Sequence, residues 1–301
     1  MTTADLQKKI ILLANPGKSH TIKVARELVP WLSQRVRIVA HNLESHLDIE
    51  NIPAADFIVV LGGDGSILNT VRTLGAQQIP LIGVNMGKLG FLAEFSIRQF
   101  KDQFIRIVSD EKLISKRFML HCRIVGPNRS EFVTTAVNEV AIIAGPPFRM
   151  IEVSVKIAGE NLALCAGDGL IVATPTGSTA YNLSAGGPIL ASTIRAAVIT
   201  PLAAHSLSFR PIVVDMGKPI VLQACDVSHQ TMDNDNKNEA AVAVIDGQLN
   251  TPLNNEDELI ITRAQANFQL VQNPQRSQWQ LLNTKLNWGA LPNYDHPGQE
   301  Q

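Results

Sequence analysis

The chain has 301 residues, 45% of them hydrophobic and 18% charged, with a formal net charge of −1. That length suits two ordinary domains or one large one, and the balance excludes a mostly disordered chain and a globally basic nucleic-acid binder. The three cysteines, Cys122, Cys165 and Cys225, show no CxxC spacing. They read as small buried residues in a reducing compartment, not as a disulfide framework or a zinc site. Residues 1–9 carry no hydrophobic signal core, and no apolar run approaches the ~20 residues of a membrane span, so a cytoplasmic protein without membrane contact is expected.

In chain order, residues 10–14 form a short apolar strand ending at the turn signal Asn15-Pro16-Gly17. A helix is predicted over residues 20–34, with Ala25, Leu28, Val29 and Leu32 on one face and Pro30 expected to kink it or end it early. Strands follow at 36–40 and 56–61, the second apolar throughout, as a strand covered on both faces would be. Ile67, Val71 and Leu74 then repeat at helical spacing over 66–74, and 80–84 is another buried strand. Strands alternating with helices imply a parallel sheet.

From about residue 112 the period changes to two. Ile151, Val153, Val155 and Ile157 alternate with Glu152, Ser154 and Lys156. Short strands are also predicted at 120–125, 132–143, 169–173, 212–214, 241–245 and 259–262. The expected organisation is an α/β domain with a parallel sheet over 1–115 and a β-rich, sandwich-like domain over 116–275. A C-terminal segment, 276–301, packs back through 279–288 and ends in a frayed tail from about 289. The polar stretch 228–239 reads as an exposed loop.

The strongest local signal is Gly62-Gly63-Asp64-Gly65-Ser66, between a buried strand and a helix. Its glycines allow a sharp turn and close ligand approach, and the helix start offers N–H groups to a phosphate. It lacks the Lys-Ser/Thr of a Walker A loop and the third glycine of a Rossmann fingerprint. Its carboxylate is unfavourable beside phosphates. Asp64 therefore either holds a metal ion, accepts a proton from a hydroxyl, or is simply a turn or capping residue.

A second loop, Gly167-Asp168-Gly169 through Thr174-Pro175-Thr176-Gly177-Ser178-Thr179-Ala180-Tyr181-Asn182-Leu183-Ser184, is crowded with hydroxyls that could serve phosphate and ribose oxygens. Its alternative is a pair of structural turns. Asn138-Glu139 closes a strand-like run, where such a pair is usually plain surface. Asp246-Gly247-Gln248 reads as a hairpin turn.

Together and in this order these residues, with Asn85, Gly87 and Leu89-Gly90-Phe91-Leu92, resemble the NAD kinase family over roughly 10–275. The resemblance implies a cleft between the two domains in which ATP phosphorylates the adenosine-ribose 2′-hydroxyl of NAD. It implies Asp64 as general base, with Gly62, Gly63, Gly65 and Ser66 forming the phosphate loop. Asn138 and Glu139 would bind the adenosine part, and Asp168 the nicotinamide half. Thr179, Ala180, Tyr181, Asn182, Leu183 and Ser184 would line the dinucleotide site, Arg149 and Gln248 would add contacts, and Asn85 and Phe91 would shape the rim. A divalent ion (Mg²⁺) without a protein-only site and a homodimer or homotetramer are also implied. Two departures stand out: Ala166, where some members carry a larger polar side chain, and Ala93-Glu94, where many carry Thr-Asp. A lipid kinase sharing the Gly-Gly-Asp-Gly loop and a non-catalytic NAD-binding sensor are the competing readings.

Overall fold

The computed structural model describes residues 8–15, 17–43, 51–87, 89–146, 148–225 and 241–289. The expected loop at 228–239 and all but the first residue of the expected tail lie outside them.

Strands β1 (Lys9–Ala14), β2 (Arg37–His41), β3 (Phe57–Leu61) and β4 (Leu81–Val84) form a parallel sheet in the order β2-β1-β3-β4. Helices α1 (Ser19–Ser33), α2 (Asp64–Leu74) and α3 (Ile97–Ser109) cover it. The alternation along β1 explains why its sequence is apolar throughout. Ile10, Leu12 and Ala14 enter a core with Leu28, Leu32, Phe100 and Phe104, whereas Ile11 and Leu13 enter the opposite one with Ile67 and Val71.

Helix α1 does not end at Pro30 but runs on to Ser33. The carbonyl that the proline deprives of a partner belongs to Arg26, an exposed residue, so water can satisfy it. Leu32 beyond the proline is fully buried, and Trp31 packs edge-on to Phe104 at 5.1 Å, which ties down the last turn. Helix α2 begins at Asp64, two residues before the predicted start, so the acid stands in its first turn. Helix α3 escaped the periodicity reading, although Ser96 and Gln99 form a capping box and Phe100, Phe104, Ile107 and Val108 recur at helical spacing.

Past α3 the chain is antiparallel. Strands β5 (Ile114–Val125), β6 (Phe132–Ala136), β8 (Ile151–Ile157), β9 (Glu160–Gly167), β13 (Ile220–Cys225) and β16 (Glu258–Val271) extend the first sheet to ten strands. A second sheet has the order β12-β11-β10-β7-β14-β15, from β7 (Glu139–Ala144), β10 (Gly169–Ala173), β11 (Ala196–Leu202), β12 (Ile212–Asp215), β14 (Ala241–Ile245) and β15 (Leu249–Leu253). Cys122, Val155, Leu222 and Ile261 of one sheet share a core with Ile142, Val172, Ala197 and Ala243 of the other, the two-layer arrangement expected of a sandwich. Strand β16 also reaches the parallel sheet, where Leu270 pairs with Leu81 of β4.

The run 132–143, predicted as one strand, is two strands in different sheets. The N–H groups of Val137, Asn138 and Glu139 all turn to the Asp246 carboxylate, which takes them out of any ladder. Helix α5 (Gln278–Leu286) follows β16. It docks through buried Leu281 and Leu282, whereas Trp279 and Trp288 are exposed.

Candidate active site

Gly62 continues β3, its N–H donating to Val84 O at 3.0 Å, and Gly63 precedes α2 as its N-cap in extended geometry. The Asp64 side chain turns to the segment 90–93. Its Oδ2 accepts from Phe91 N at 2.8 Å, and its Oδ1 accepts from Leu92 N and Ala93 N, both at 3.0 Å. A side chain at Gly90 would collide with this carboxylate, which accounts for the glycine there. An ionised carboxylate offers about four acceptor positions. Among the described residues three are taken by these N–H groups, which leaves one on Oδ2. Asn85 points its amide at Phe95 O (2.9 Å) and Ala93 O (3.5 Å), so it shapes this same segment.

Ser66 donates its N–H to Gly63 O at 3.0 Å, and its hydroxyl occupies the space that a Gly62 side chain would need. On the other side of the loop stands the hairpin between β14 and β15. Asp246 and Gly247 both have left-handed φ, 51° and 63°, as a tight hairpin turn requires. Gln248 Nε2 donates to Gly65 O at 2.8 Å, and its Oε1 accepts from Arg72 Nη2 at 2.9 Å. Arg72 also lies 3.6 Å from buried Asp246. The hairpin therefore fastens the glycine turn 62–66 and α2 to the strands carrying Asn138 and Glu139.

Asn138 sits in the break between β6 and β7 with its N–H 2.7 Å from Asp246 Oδ1 and its carbonyl accepting from Thr174 N at 2.8 Å. A side chain at Gly177 would strike that carbonyl, so the second loop stacks directly on it. Glu139 is buried, with no partner on Oε2 among the described residues. Burial, then the neighbouring Asp246 charge, pushes its carboxyl up to about 8. At neutral pH it is mostly a protonated acid that can donate a hydrogen bond. Asp246 is itself raised by burial, against its three backbone donors and Arg72.

In the second loop the hydroxyls of Thr174, Ser178 and Thr179 donate to backbone carbonyls. Thr174 Oγ1 donates to Val137 O (2.6 Å), and Ser178 Oγ donates to Pro175 O (2.7 Å). Asn182 is fully buried. It donates to Ser178 O and Pro188 O, both at 3.1 Å, and accepts from Thr200 Oγ1 at 2.6 Å. Both of its N–H donors and one lone pair of its oxygen are used inside the protein, so the side chain holds the loop. Thr179, Ala180 and Leu183 are half-buried, and Tyr181 and Ser184 are exposed. Asp168, Tyr181 and Ser184 line one cavity of about 620 Å³ with Phe148 and Leu202. Arg149 is exposed in the connection between β7 and β8.

A second cavity, of about 590 Å³, opens between β1 and β3, beside Gly63, Gly65 and Gln248. The sheet order reverses there, β1 leading to β2 on one side while β3 lies on the other. The carboxyl ends of strands at such a point are where open α/β sheets bind ligands. Asn15, Lys18, Asn42, Asn69 and Arg72 also line it, and sequence reasoning named none of them as site residues. The turn Asn15-Pro16-Gly17-Lys18 at the end of β1 was the available signal.

Comparison with known proteins gives this geometry a family. A model of the ATP-NAD kinase N-terminal domain matches residues 43–112, and one of the ATP-NAD kinase C-terminal domain matches residues 137–273. The chain is 33% identical over 282 residues to an NAD kinase of Rhodopirellula baltica, covering 94% of this chain and 87% of that one. It is 34% identical over 291 residues to an NAD kinase of Geobacter sulfurreducens, covering 94% and 99%. The crystal structure of yeast NADH kinase complexed with NADH superposes with a TM-score of 0.83 at 24% identity, covering 96% of this chain and 90% of that one, a likeness of fold. That of an NAD kinase from Archaeoglobus fulgidus in complex with ATP gives 0.69 at 25% identity, covering 89% and 94%. Domain models over most of the length and relatives matched nearly end to end lead to one conclusion: the chain belongs to the NAD kinase family.

Proposed function

We propose that the chain transfers the γ-phosphoryl group of ATP to the 2′-hydroxyl of the adenosine ribose of NAD, giving NADP and ADP, with Asp64 as the base. The observation that carries this assignment is the open acceptor position on Asp64 Oδ2 in the turn that starts α2. As the 2′-oxygen attacks, the new O–P bond forms and the bond to the β-phosphate oxygen breaks, so ADP leaves and the hydroxyl proton passes to Asp64. Phosphoryl transfer asks for positioning and charge neutralisation more than covalent chemistry.

The cavity between β1 and β3 suits the triphosphate, with Lys18 and Arg72 as its cations and the backbone of Gly63 and Gly65 as donors. Asn138 and protonated Glu139 suit the adenosine part, and the cavity of Asp168, Tyr181 and Ser184 suits the nicotinamide half. Among the described residues no group of three or more His, Cys, Asp or Glu side chains comes together. A divalent ion such as Mg²⁺ is therefore expected to come with the triphosphate, where it would neutralise developing charge.

Purified protein given NAD, ATP and Mg²⁺ should make NADP, detected with an NADP-specific dehydrogenase. Bound NAD without product would favour a sensor. Strands β9 and β12 are sheet edges bearing exposed Leu162, Leu164 and Val213, and self-association into a dimer or tetramer through such edges fits. Sedimentation of a monomer at micromolar concentration would contradict that. Free Cys122, Cys165 and Cys225, and the lack of a helix long and apolar enough to cross a membrane among the described residues, fit a cytosolic setting.

A further inference from the structure

Glu94, a departure from the family pattern that the sequence made look minor, is buried behind the segment that grips Asp64. It faces Arg117 of β5, with Arg117 Nη2 3.7 Å from Glu94 Oε1 and both side chains about nine-tenths buried. Its Oε2 accepts the N–H of buried Asn273 at 2.8 Å, and its carbonyl lies within reach of Asn273 Nδ2 (3.3 Å) and Arg276 Nη1 (3.5 Å). One residue further toward the N-terminus of this segment begin the three N–H groups that orient the carboxylate of Asp64. The C-terminal segment touches the same stretch a second time, where Lys285 Nζ sits 4.5 Å from the Phe91 ring centroid.

A buried ion pair is poor evidence of a gain in stability, because desolvation offsets most of the attraction. Here burial raises Glu94 despite the Asn273 N–H, Arg117 and Arg276, and the Asp64 charge raises it further. Burial likewise lowers Arg117, against the charges of Glu94 and Asp64. The pair is costly and lies one loop behind the proposed base.

We propose that Glu94 and Arg117, braced by Asn273 and Arg276 of the segment after β16, are positioning residues for phosphoryl transfer. They fix residues 91–93 so that their N–H groups hold Asp64 with Oδ2 open toward the hydroxyl. The proposal rests on the kinase reading above. It makes the chain's C-terminal segment part of the reaction apparatus, through its contacts with Glu94.

The test is steady-state kinetics of the full chain carrying Glu94→Gln, Arg117→Met, Arg117→Lys or Arg276→Gln, with melting curves alongside. A base displaced by a fraction of an ångström to an ångström costs roughly ten- to a hundredfold in rate. For folded Glu94→Gln and Arg117→Met we expect a loss in kcat of that size with KM for NAD and ATP within about threefold, since the two side chains face each other behind residues 91–93. Arg117→Lys should recover part of it, and exchange of the Phe91, Leu92 and Ala93 amide protons should speed up. Arg276→Gln, altered at a half-exposed site, keeps the question answerable if Arg117→Met fails to fold, and should lower kcat by a smaller factor. Folded variants with wild-type kcat, or with raised KM alone, would overturn the proposal while leaving the kinase reading intact. A wild type that makes no NADP would overturn both.

Discussion

Glu139 is a carboxylic acid held where its charge is unwelcome, between a buried wall and Asp246. Its folded value of about 8 stands above the ordinary glutamate value of 4.5, so between those pH values the folded chain keeps a proton that the unfolded chain has lost. Stability from this group is complete below 4.5 and declines as pH rises through 8. Glu139→Gln, a neutral mimic of the protonated acid, should flatten that decline, and the melting temperature of the variant should exceed that of the wild type at pH 8.5 but not at pH 4. Equal slopes in the two proteins would place the charge elsewhere. Asp246 is raised as well, with the same sign, and remains in both proteins, so the difference in slope reports Glu139 together with its coupling to Asp246. At this scale the sequence was readable for the position of Asp64, in a glycine turn at the start of a helix. It was not readable for Asn182, Glu94 or Arg117, because their partners, Thr200, Asn273 and the loop before α3, are far along the chain.

At the scale of elements, period and punctuation located the parallel strands and α2 to within a few residues. Helix α3 was missed despite its capping box, since the polar residues between its four buried ones diluted the pattern. Strands β9, β11, β13 and β15 were also missed. β9 is exposed over much of its length, and β15 is short and contains Pro252. Pro30 misled in the other direction, because tertiary packing of Leu32 and Trp31 outweighed a lost hydrogen bond on the exposed side. Pro30→Ala restores that donor but frees the unfolded chain. We expect a net gain of about 2–2.5 kcal/mol, the ~3 kcal/mol cost of an interior proline less the entropy it had removed. Urea unfolding measures it, and a loss of stability would mean that the proline is part of the docking geometry of α1.

Across the whole molecule, the two halves seen in the sequence as a change of period share a strand. β16 pairs with β5 and β13 in the antiparallel half and with β4 in the parallel half. Its Phe268 is fully buried in a core that also contains Val71 and Leu81 from the first half and Met119 and Val137 from the second. No local pattern could report this, because it depends on residues about 190 positions apart meeting in one sheet (Leu270 and Leu81). It follows that the halves should unfold together. Calorimetry should give one transition with matching van't Hoff and calorimetric enthalpies. Phe268→Ala should lower that single transition, at a cost of about 3–5 kcal/mol. Two separated transitions in the wild type would show that the shared strand does not couple the halves.

The central claim is that Asp64 accepts the proton of the ribose hydroxyl, and single-turnover transfer from ATP to NAD by Asp64→Asn tests it most directly. Asparagine keeps the shape and, through Oδ1, an acceptor for the N–H groups of Leu92 and Ala93, but it sets an NH2 group against Phe91 N–H and cannot take the proton. The account predicts NAD binding close to wild type by calorimetry and a rate of NADP formation lower by roughly 10²–10⁴-fold, the usual contribution of a positioned base. NADP formed at the wild-type rate would contradict it, leaving Asp64 a structural member of the turn.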